Sequence, residues 1–434
     1  MYSLVRKNGT ETFRDDLEDV TISTPVKNCL GLLQIREPSP LSWPEDFSSA
    51  FASPIGTPPL RELGAGVKRV AVIVSDSTRG VPTSAVMPMI LKELAFANIP
   101  PQKVTVVIAT GVHRPATSEE ISAIVGIDNA DKVKVVNHDA FAAHELVNLG
   151  NTSYGTPVEV NRHVYEAELR IIVGKVEPHE FAGFSGGRKS ILPGIAGESA
   201  IRHNHRPEML MSPIARPGQL EGNPVHLDML EAAQKLGVQF TINMVLNKSE
   251  ETIGIFTGGL QEAHLAAVQF MRSFCQITLN QQPDVIVTTP GKPLNIDFYQ
   301  SVKPLIALAP VMAPGSVLVL YSFCRDGLGT TDMLIPYEGA KNIDEVISRL
   351  KSDYRIQMDH ALLIGKILQQ GVHIIITTPH VSSAVLEKMF LASANSPQEA
   401  LNQALQIIKK PNPSVLFFPQ PQRALTVLNQ ATTK

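Results

Sequence analysis

Strand-length apolar runs that alternate with stretches of helical spacing constrain this chain more than any other feature. Arg69–Val74, Lys103–Ile108, Lys132–Val136, Leu169–Val173 and Phe240–Leu246 are rich in Val and Ile, and helical segments stand between and after them at Ser84–Ala97, Ser118–Ile124 and Leu260–Phe274. A second series begins after Gln281-Gln282-Pro283. Its strands are Val285–Thr289, Ser316–Tyr321, Val372–Thr377 and Ser414–Phe418, and its helices Val302–Ala309, Ile343–Leu350, His360–Gln369, Ser382–Phe390 and Ser396–Gln406. Runs that are apolar throughout, rather than alternating, belong to parallel strands buried on both faces. The expectation is an α/β protein of two domains, each a mainly parallel sheet covered by helices. A chain of 434 residues also exceeds what one simple core accommodates. The break falls at the start of the second series, giving an N-terminal domain over 1–280 and a smaller C-terminal domain over 281–434. The segment before Arg69, rich in Pro, Ser and Asp, is expected to add short strands at Val20–Thr24 and Gly31–Gln34 within an irregular cover.

Charge and cysteine usage narrow the partners. A formal charge of -3 and a pI near 6.5 give no electrostatic reason to expect nucleic acid or an anionic membrane. Met1–Asp16 has no apolar core and does not read as a signal peptide. The longest apolar stretches, such as Gly371–Ile376, fall far short of the roughly 20 residues that cross a bilayer. Cys29, Cys275 and Cys324 form no CxxC pair, so neither a thiolate zinc site nor a disulfide framework is indicated. The cytoplasm is the expected compartment.

Ligands of open α/β sheets collect beyond the carboxyl ends of the strands, and chemistry-bearing residues gather there in this sequence. Asp76 and Arg79 follow the first strong strand, and Thr110, His113 and Arg114 follow the second. After Leu169–Val173 comes Glu177-Pro-His179-Glu-Phe-Ala-Gly-Phe-Ser-Gly-Gly-Arg-Lys189-Ser-Ile-Leu-Pro-Gly, leading to Ile201-Arg-His203-Asn-His205. The second series opens with Pro290-Gly-Lys-Pro-Leu-Asn-Ile-Asp297 and Tyr299-Gln300-Ser-Val-Lys303. Plain structural roles stand beside the functional ones: Asp76 as a cap, Arg79 as a surface cation, His113 as a hydrogen-bonding turn residue. The clustering of His179, Lys189 and His205 among glycines that permit close backbone approach favours a site. The run before Lys189 is not GxxxxGK[ST], because Arg188 stands where that motif needs glycine, although a backbone nest for a phosphate remains open. The Val70–Arg79 region lacks GxGxxG, which disfavours a freely exchanging dinucleotide. A zinc site of His179, His203 and His205 has no supporting ligand motif.

These stretches resemble the lactate racemase family, the nickel-pincer 2-hydroxy acid racemases and epimerases. The resemblance runs along nearly the whole chain and is carried by Ser75-Asp-Ser-Thr-Arg-Gly80, Ala109-Thr-Gly-Val-His-Arg114, the long Glu177–Ile195 motif, Asn204-His205 and Tyr299-Gln-Ser-Val-Lys303. It implies a pyridinium-3-thioamide-5-thiocarboxylic acid mononucleotide carrying nickel, covalently linked to Lys189, with His205 as the protein ligand of the metal. Sulfur and imidazole donors in a near-planar site suit Ni(II). The resemblance further implies that Ser185, Arg188, Thr110 and Asp76 contact the cofactor. His113 and His179 would be paired acid–base residues, and Arg79, Tyr299, Gln300 and Lys303 substrate ligands, in a cleft between the two domains.

The implied reaction inverts C2 of a 2-hydroxy carboxylic acid. The C2 hydrogen beside a carboxylate is barely acidic, so moving it as hydride avoids a carbanion. A base takes the hydroxyl proton, a planar 2-keto acid stays bound, and hydride returns to either face. The expected partners are a small 2-hydroxy acid and the proteins that make or deliver the cofactor. The alternatives are a non-racemising hydride-transfer enzyme acting on a hydroxy acid, an oxidoreductase or lyase, and a cofactor-binding protein without catalysis. Two departures from the family pattern concern the substrate wall: the only tryptophan is Trp43, near the N-terminus, and Ser322-Phe-Cys-Arg-Asp-Gly-Leu-Gly329 carries Phe323 and Leu328 among its polar positions. Both point away from lactate toward another 2-hydroxy acid.

Overall fold

The computed structural model describes residues 1–429, which divide into two compact units. The first comprises Glu37–His205 and Ile214–Phe274. The second comprises Met1–Arg36, Arg206–Pro213 and the chain from Cys275 onward.

In the first unit six strands form one sheet: β1 (Val70–Ser75), β2 (Val104–Ala109), β3 (Lys134–Asn137), β4 (Leu169–Lys175), β5 (Phe240–Leu246) and β6 (Thr252–Gly258). Their spatial order is β6-β5-β4-β1-β2-β3, the 3-2-1-4-5-6 order of a doubly wound nucleotide-binding sheet. All pairings are parallel except β5 with the edge strand β6. The unbroken runs Val70–Val74 and Ile171–Val173 are buried on both faces, as parallel strands under helices require. The covering helices include α1 (Thr83–Phe96), α2 (Ser118–Val125), α3 (Glu198–Asn204), α4 (Pro224–Leu236) and α5 (Glu262–Cys275). A capping box fixes the start of α2: the Thr117 side chain accepts from the Glu120 N–H and the Glu120 carboxylate from the Thr117 N–H. Strand order reverses between β1 and β4, so the crevice for a ligand lies beyond their carboxyl ends.

The second unit is also built on a six-stranded, all-parallel sheet. β7 (Val285–Thr288), β8 (Val317–Tyr321), β9 (His373–Thr377), β10 (Ala392–Ser393) and β11 (Val415–Phe417) lie in the order β10-β9-β8-β7-β11, and Cys29–Leu32 completes the far edge. An antiparallel meander of Tyr2–Lys7, Thr10–Asp15 and Val20–Pro25 packs on this sheet. Its buried Phe13 stacks on Phe417 at 4.9 Å. The opening residues therefore belong to the second unit, not to a domain running continuously over 1–280. The reason is pairing: Cys29–Leu32 joins β11, far away in sequence.

Candidate active site

The first unit gathers most of the candidate residues at its strand ends. Asp76, directly after β1, caps the short turn Ser77–Arg79: its Oδ1 accepts from Thr78 N–H at 3.1 Å and Thr78 Oγ1 at 2.6 Å. Its other oxygen lies 2.7 Å from His113 Nδ1. Burial pushes the Asp76 carboxyl up, but hydrogen bonds from His113 and Thr78 and the Arg79 charge outweigh it and leave the carboxyl below its ordinary value. An ionised carboxylate only accepts, so His113 Nδ1 carries the proton and Nε2 is the basic nitrogen. Arg79 is exposed at the end of the same turn.

The Gly-rich loop after β4 is held from inside. Arg188 is fully buried, and its guanidinium donates to four carbonyl oxygens, those of Ala182, Phe184, Ser185 and Gly186, and to His264 Nε2 at 2.8 Å. The same His264 nitrogen also lies 2.9 Å from Ser185 O. Burial, then the Arg188 charge, hold His264 well below the usual imidazole range, and the same causes push His226 down to about 3. Ser185 Oγ donates to Lys175 O at 2.8 Å and accepts from Glu177 N–H at 2.9 Å. These internal bonds of Arg188 and Ser185 shape the loop that carries Lys189. Thr110 Oγ1 likewise donates to His138 O at 2.6 Å. Gly183 is needed as glycine: its φ is +77°, and a Cβ would collide with the Gln219 carbonyl.

On this scaffold three side chains surround one buried ring. The Phe181 ring meets His179 edge-on at 4.7 Å and His205 edge-on at 5.0 Å, and Lys189 Nζ lies 5.7 Å from its centroid. His205 is buried at the end of α3, and its Nδ1 lies 3.1 Å from Ile201 O. Since a carbonyl only accepts, that nitrogen is the protonated one and Nε2 keeps its lone pair. His179 Nδ1 lies 3.4 Å from the Ala182 N–H and 3.3 Å from Glu180 Oε2. The first contact suits a ring with a bare Nδ1, and the second a ring with its proton on Nδ1, which leaves Nε2 as the basic nitrogen. Gly111 N–H donates to Gly194 O, and Gly194 N–H to Lys189 O, so the His113 turn is tied to the Lys189 loop through backbone. His203 does not join the cluster; its Nε2 lies 3.2 Å from Tyr154 O. Among the described residues no group of three or more His, Cys, Asp or Glu side chains is placed to hold a metal ion, so the three-histidine zinc site is not formed.

Phe181 and Asn243 escaped the sequence reading. Asn243 is fully buried on β5, where its Oδ1 accepts the Gly187 N–H at 3.0 Å and docks the Lys189 loop on the sheet. A polar residue inside the otherwise apolar run Phe240–Leu246 was the available signal.

In the second unit Asp297 caps the turn Phe298–Ser301, accepting from Gln300 N–H. Tyr299 donates its hydroxyl to Asp359 Oδ1 at 2.9 Å, and its ring lies 4.1 Å from that of His360. The 322–329 loop is bonded to the same turn through Phe298 N–H to Gly327 O and Tyr299 N–H to Leu328 O. Phe323 is exposed, with its ring 4.8 Å from that of His380. Lys303 begins the helix Lys303–Leu308.

Residues 16–218 match the model of the lactate racemase N-terminal domain, and residues 278–421 match that of the lactate racemase C-terminal domain. The chain belongs to the lactate racemase family. The lactate racemase of Thermoanaerobacterium thermosaccharolyticum is 33% identical over 404 residues, 92% of this chain and 93% of that one. The lactate racemase of Lactiplantibacillus plantarum is 32% identical over 368 residues, 84% and 86% of the two chains. The solved lactate racemase apoprotein from T. thermosaccharolyticum superposes with a TM-score of 0.87 at 31% identity, covering 95% of this chain and 97% of that one. A Thermotoga maritima protein shares the fold at 20% identity and a TM-score of 0.62. Membership in the lactate racemase family makes this protein an isomerase. Among the described residues no helix is long and apolar enough to cross a membrane.

Proposed function

We propose that the protein inverts C2 of a 2-hydroxy carboxylic acid with a nickel-pincer nucleotide linked covalently to Lys189. The observation that carries this reading is the gathering of Lys189, His179 and His205 around the Phe181 ring. The residues fit the group. His205 turns Nδ1 to a backbone carbonyl, as metal-bound histidines characteristically do. Lys189 supplies the primary amine for the covalent link. When bound, the group supplies a hydride acceptor, so that a 2-keto acid rather than a carbanion forms.

The chain's own residues handle protons and charge. His113 takes the hydroxyl proton of one enantiomer at Nε2, and the Asp76 carboxylate stabilises the imidazolium that results. His179 serves the opposite enantiomer: with the Nδ1 proton held toward Glu180 Oε2, it takes the hydroxyl proton at Nε2, and Glu180 stabilises the imidazolium that results. Arg79 offers a planar fork to the substrate carboxylate. Tyr299, Gln300 and Lys303 are proposed as further substrate ligands on the strength of the family motif. Holoprotein made alongside the cofactor pathway is expected to show an added mass that Lys189→Ala lacks. It is also expected to invert a 2-hydroxy acid at a rate that His179→Ala lowers by about 10²–10⁴-fold. Unmodified wild-type protein with full activity would overturn the covalent attachment.

A further inference from the structure

Around Asp359 in the second unit, two buried polar atoms have no hydrogen-bond partner: His360 Nδ1 and the Tyr354 hydroxyl. His360 is only 3% exposed, and it lies on the ring of Tyr299, whose hydroxyl goes to Asp359. Burial, then the Asp359 carboxylate, push the Tyr354 phenol well above its ordinary range, so it is a donor at any working pH. Asp297 caps the turn that carries Tyr299. Buried polar groups without partners are costly and rare in native structures. One of them lies on the ring of the proposed substrate-binding tyrosine and the other is six residues before His360 in sequence, and together they point to a ligand that completes them.

We infer that this place is a subsite for hydroxyl groups at C3 or beyond, and that the substrate is a polyhydroxylated 2-hydroxy acid. The inference rests on the racemase reading above. A hydroxyl oxygen accepts from Tyr354, and a hydroxyl serves His360 Nδ1 in either tautomer, giving to a bare nitrogen or taking from a protonated one. A methyl group does neither and would leave both atoms unpaired. A second carboxylate is opposed by the Asp359 and Asp297 side chains. Sites that hydrogen-bond a substrate hydroxyl discriminate strongly against analogues that lack it, whereas apolar pockets discriminate weakly.

The test compares lactate, malate, glycerate and gluconate as single stereoisomers, by inversion with the holoenzyme and by ligand-observed NMR binding. Glycerate or gluconate is expected to exceed lactate and malate at least about tenfold in kcat/KM and to bind more tightly. His360→Phe, and separately Tyr354→Phe, which removes one oxygen only, are each expected to reduce that preference about tenfold. Lactate or malate handled as well as the hydroxylated acids, or a preference unmoved in both variants, overturns the subsite. If none of the acids is inverted, the racemase reading fails for them, and the binding arm decides the subsite alone. Preferential binding of glycerate or gluconate that His360→Phe weakens sustains it, and equal binding of all four overturns it.

Discussion

Asp76 accepts from Thr78 through one oxygen and from His113 through the other, so Asp76→Asn keeps the shape of the turn while losing the charge that orients the imidazole. The variant is expected to lower kcat about 10–100-fold, as loss of an orienting partner does, with a smaller change in KM; steady-state kinetics on both enantiomers check this, and an unchanged kcat would remove Asp76 from the mechanism. The sequence showed Asp76 as a cap at a strand end, which it is, but not its partner 37 residues further on, because strand order brings the two together. The burial of Arg188 was not legible either, because a cation in a Gly-rich loop gives no local sign that its guanidinium is turned inward to backbone carbonyls. Its charge also leaves a mark on pH stability. His226 and His264 are kept neutral in the fold, whereas the unfolded chain protonates them below about pH 6.5. Their contribution is therefore full above that pH and is lost as pH falls through their lowered folded values, about 3 for His226. For His226 the loss at pH 5 amounts to about 2 kcal/mol. Thermal unfolding at pH 7 and pH 5 is expected to show a smaller difference in His226→Leu than in wild type; equal differences would contradict it.

Elements whose chemistry is uniform were readable, and those with mixed faces were not. β1 and β4 are apolar on both faces and stand out at once. The helix α4 stayed hidden because its buried positions include His226 and Asp228 beside Val225, Met229 and Leu236, which breaks the apolar periodicity. The first two strands of the N-terminal meander stayed hidden because Thr10–Asp15 spells TETFRD, with Phe13 its one large apolar side chain. Asp228 shows why a polar residue sits inside α4. Fully buried, it accepts from Thr152 Oγ1, Thr156 Oγ1 and Asn204 Nδ2 at 2.6–2.7 Å, fixing the last residue of α3 immediately before His205. Asp228→Ala orphans three donors and is expected to cost about 3 kcal/mol or more, at about 1–3 kcal/mol for each buried unpaired group. Differential scanning calorimetry should show the lowered Tm, and nickel analysis of the purified holoprotein should show reduced retention. A variant with wild-type Tm would mean that the network carries no load.

At the level of the molecule, two parallel α/β sheets were legible from the strand–helix alternation, but the continuous division at 280 was not the one adopted. Cys29–Leu32 becomes an edge strand of the second sheet by pairing with Val415–Phe417, and no local pattern announces so distant a partner. Strand order was equally invisible, yet it explains the placement of the site. The 3-2-1-4-5-6 sheet reverses between β1 and β4, and Asp76 and His179 follow the carboxyl ends of those two strands, where a nucleotide-bearing enzyme of this architecture opens its crevice. The proposed reaction inverts C2 by moving hydride rather than a proton. The most direct measurement uses a single stereoisomer of the preferred acid carrying deuterium at C2, incubated with cofactor-loaded protein in ordinary water. The expected product is the C2 epimer, of unchanged formula, with the deuterium still on C2. Inversion with the label washed out into water, or a product of changed composition, would contradict it.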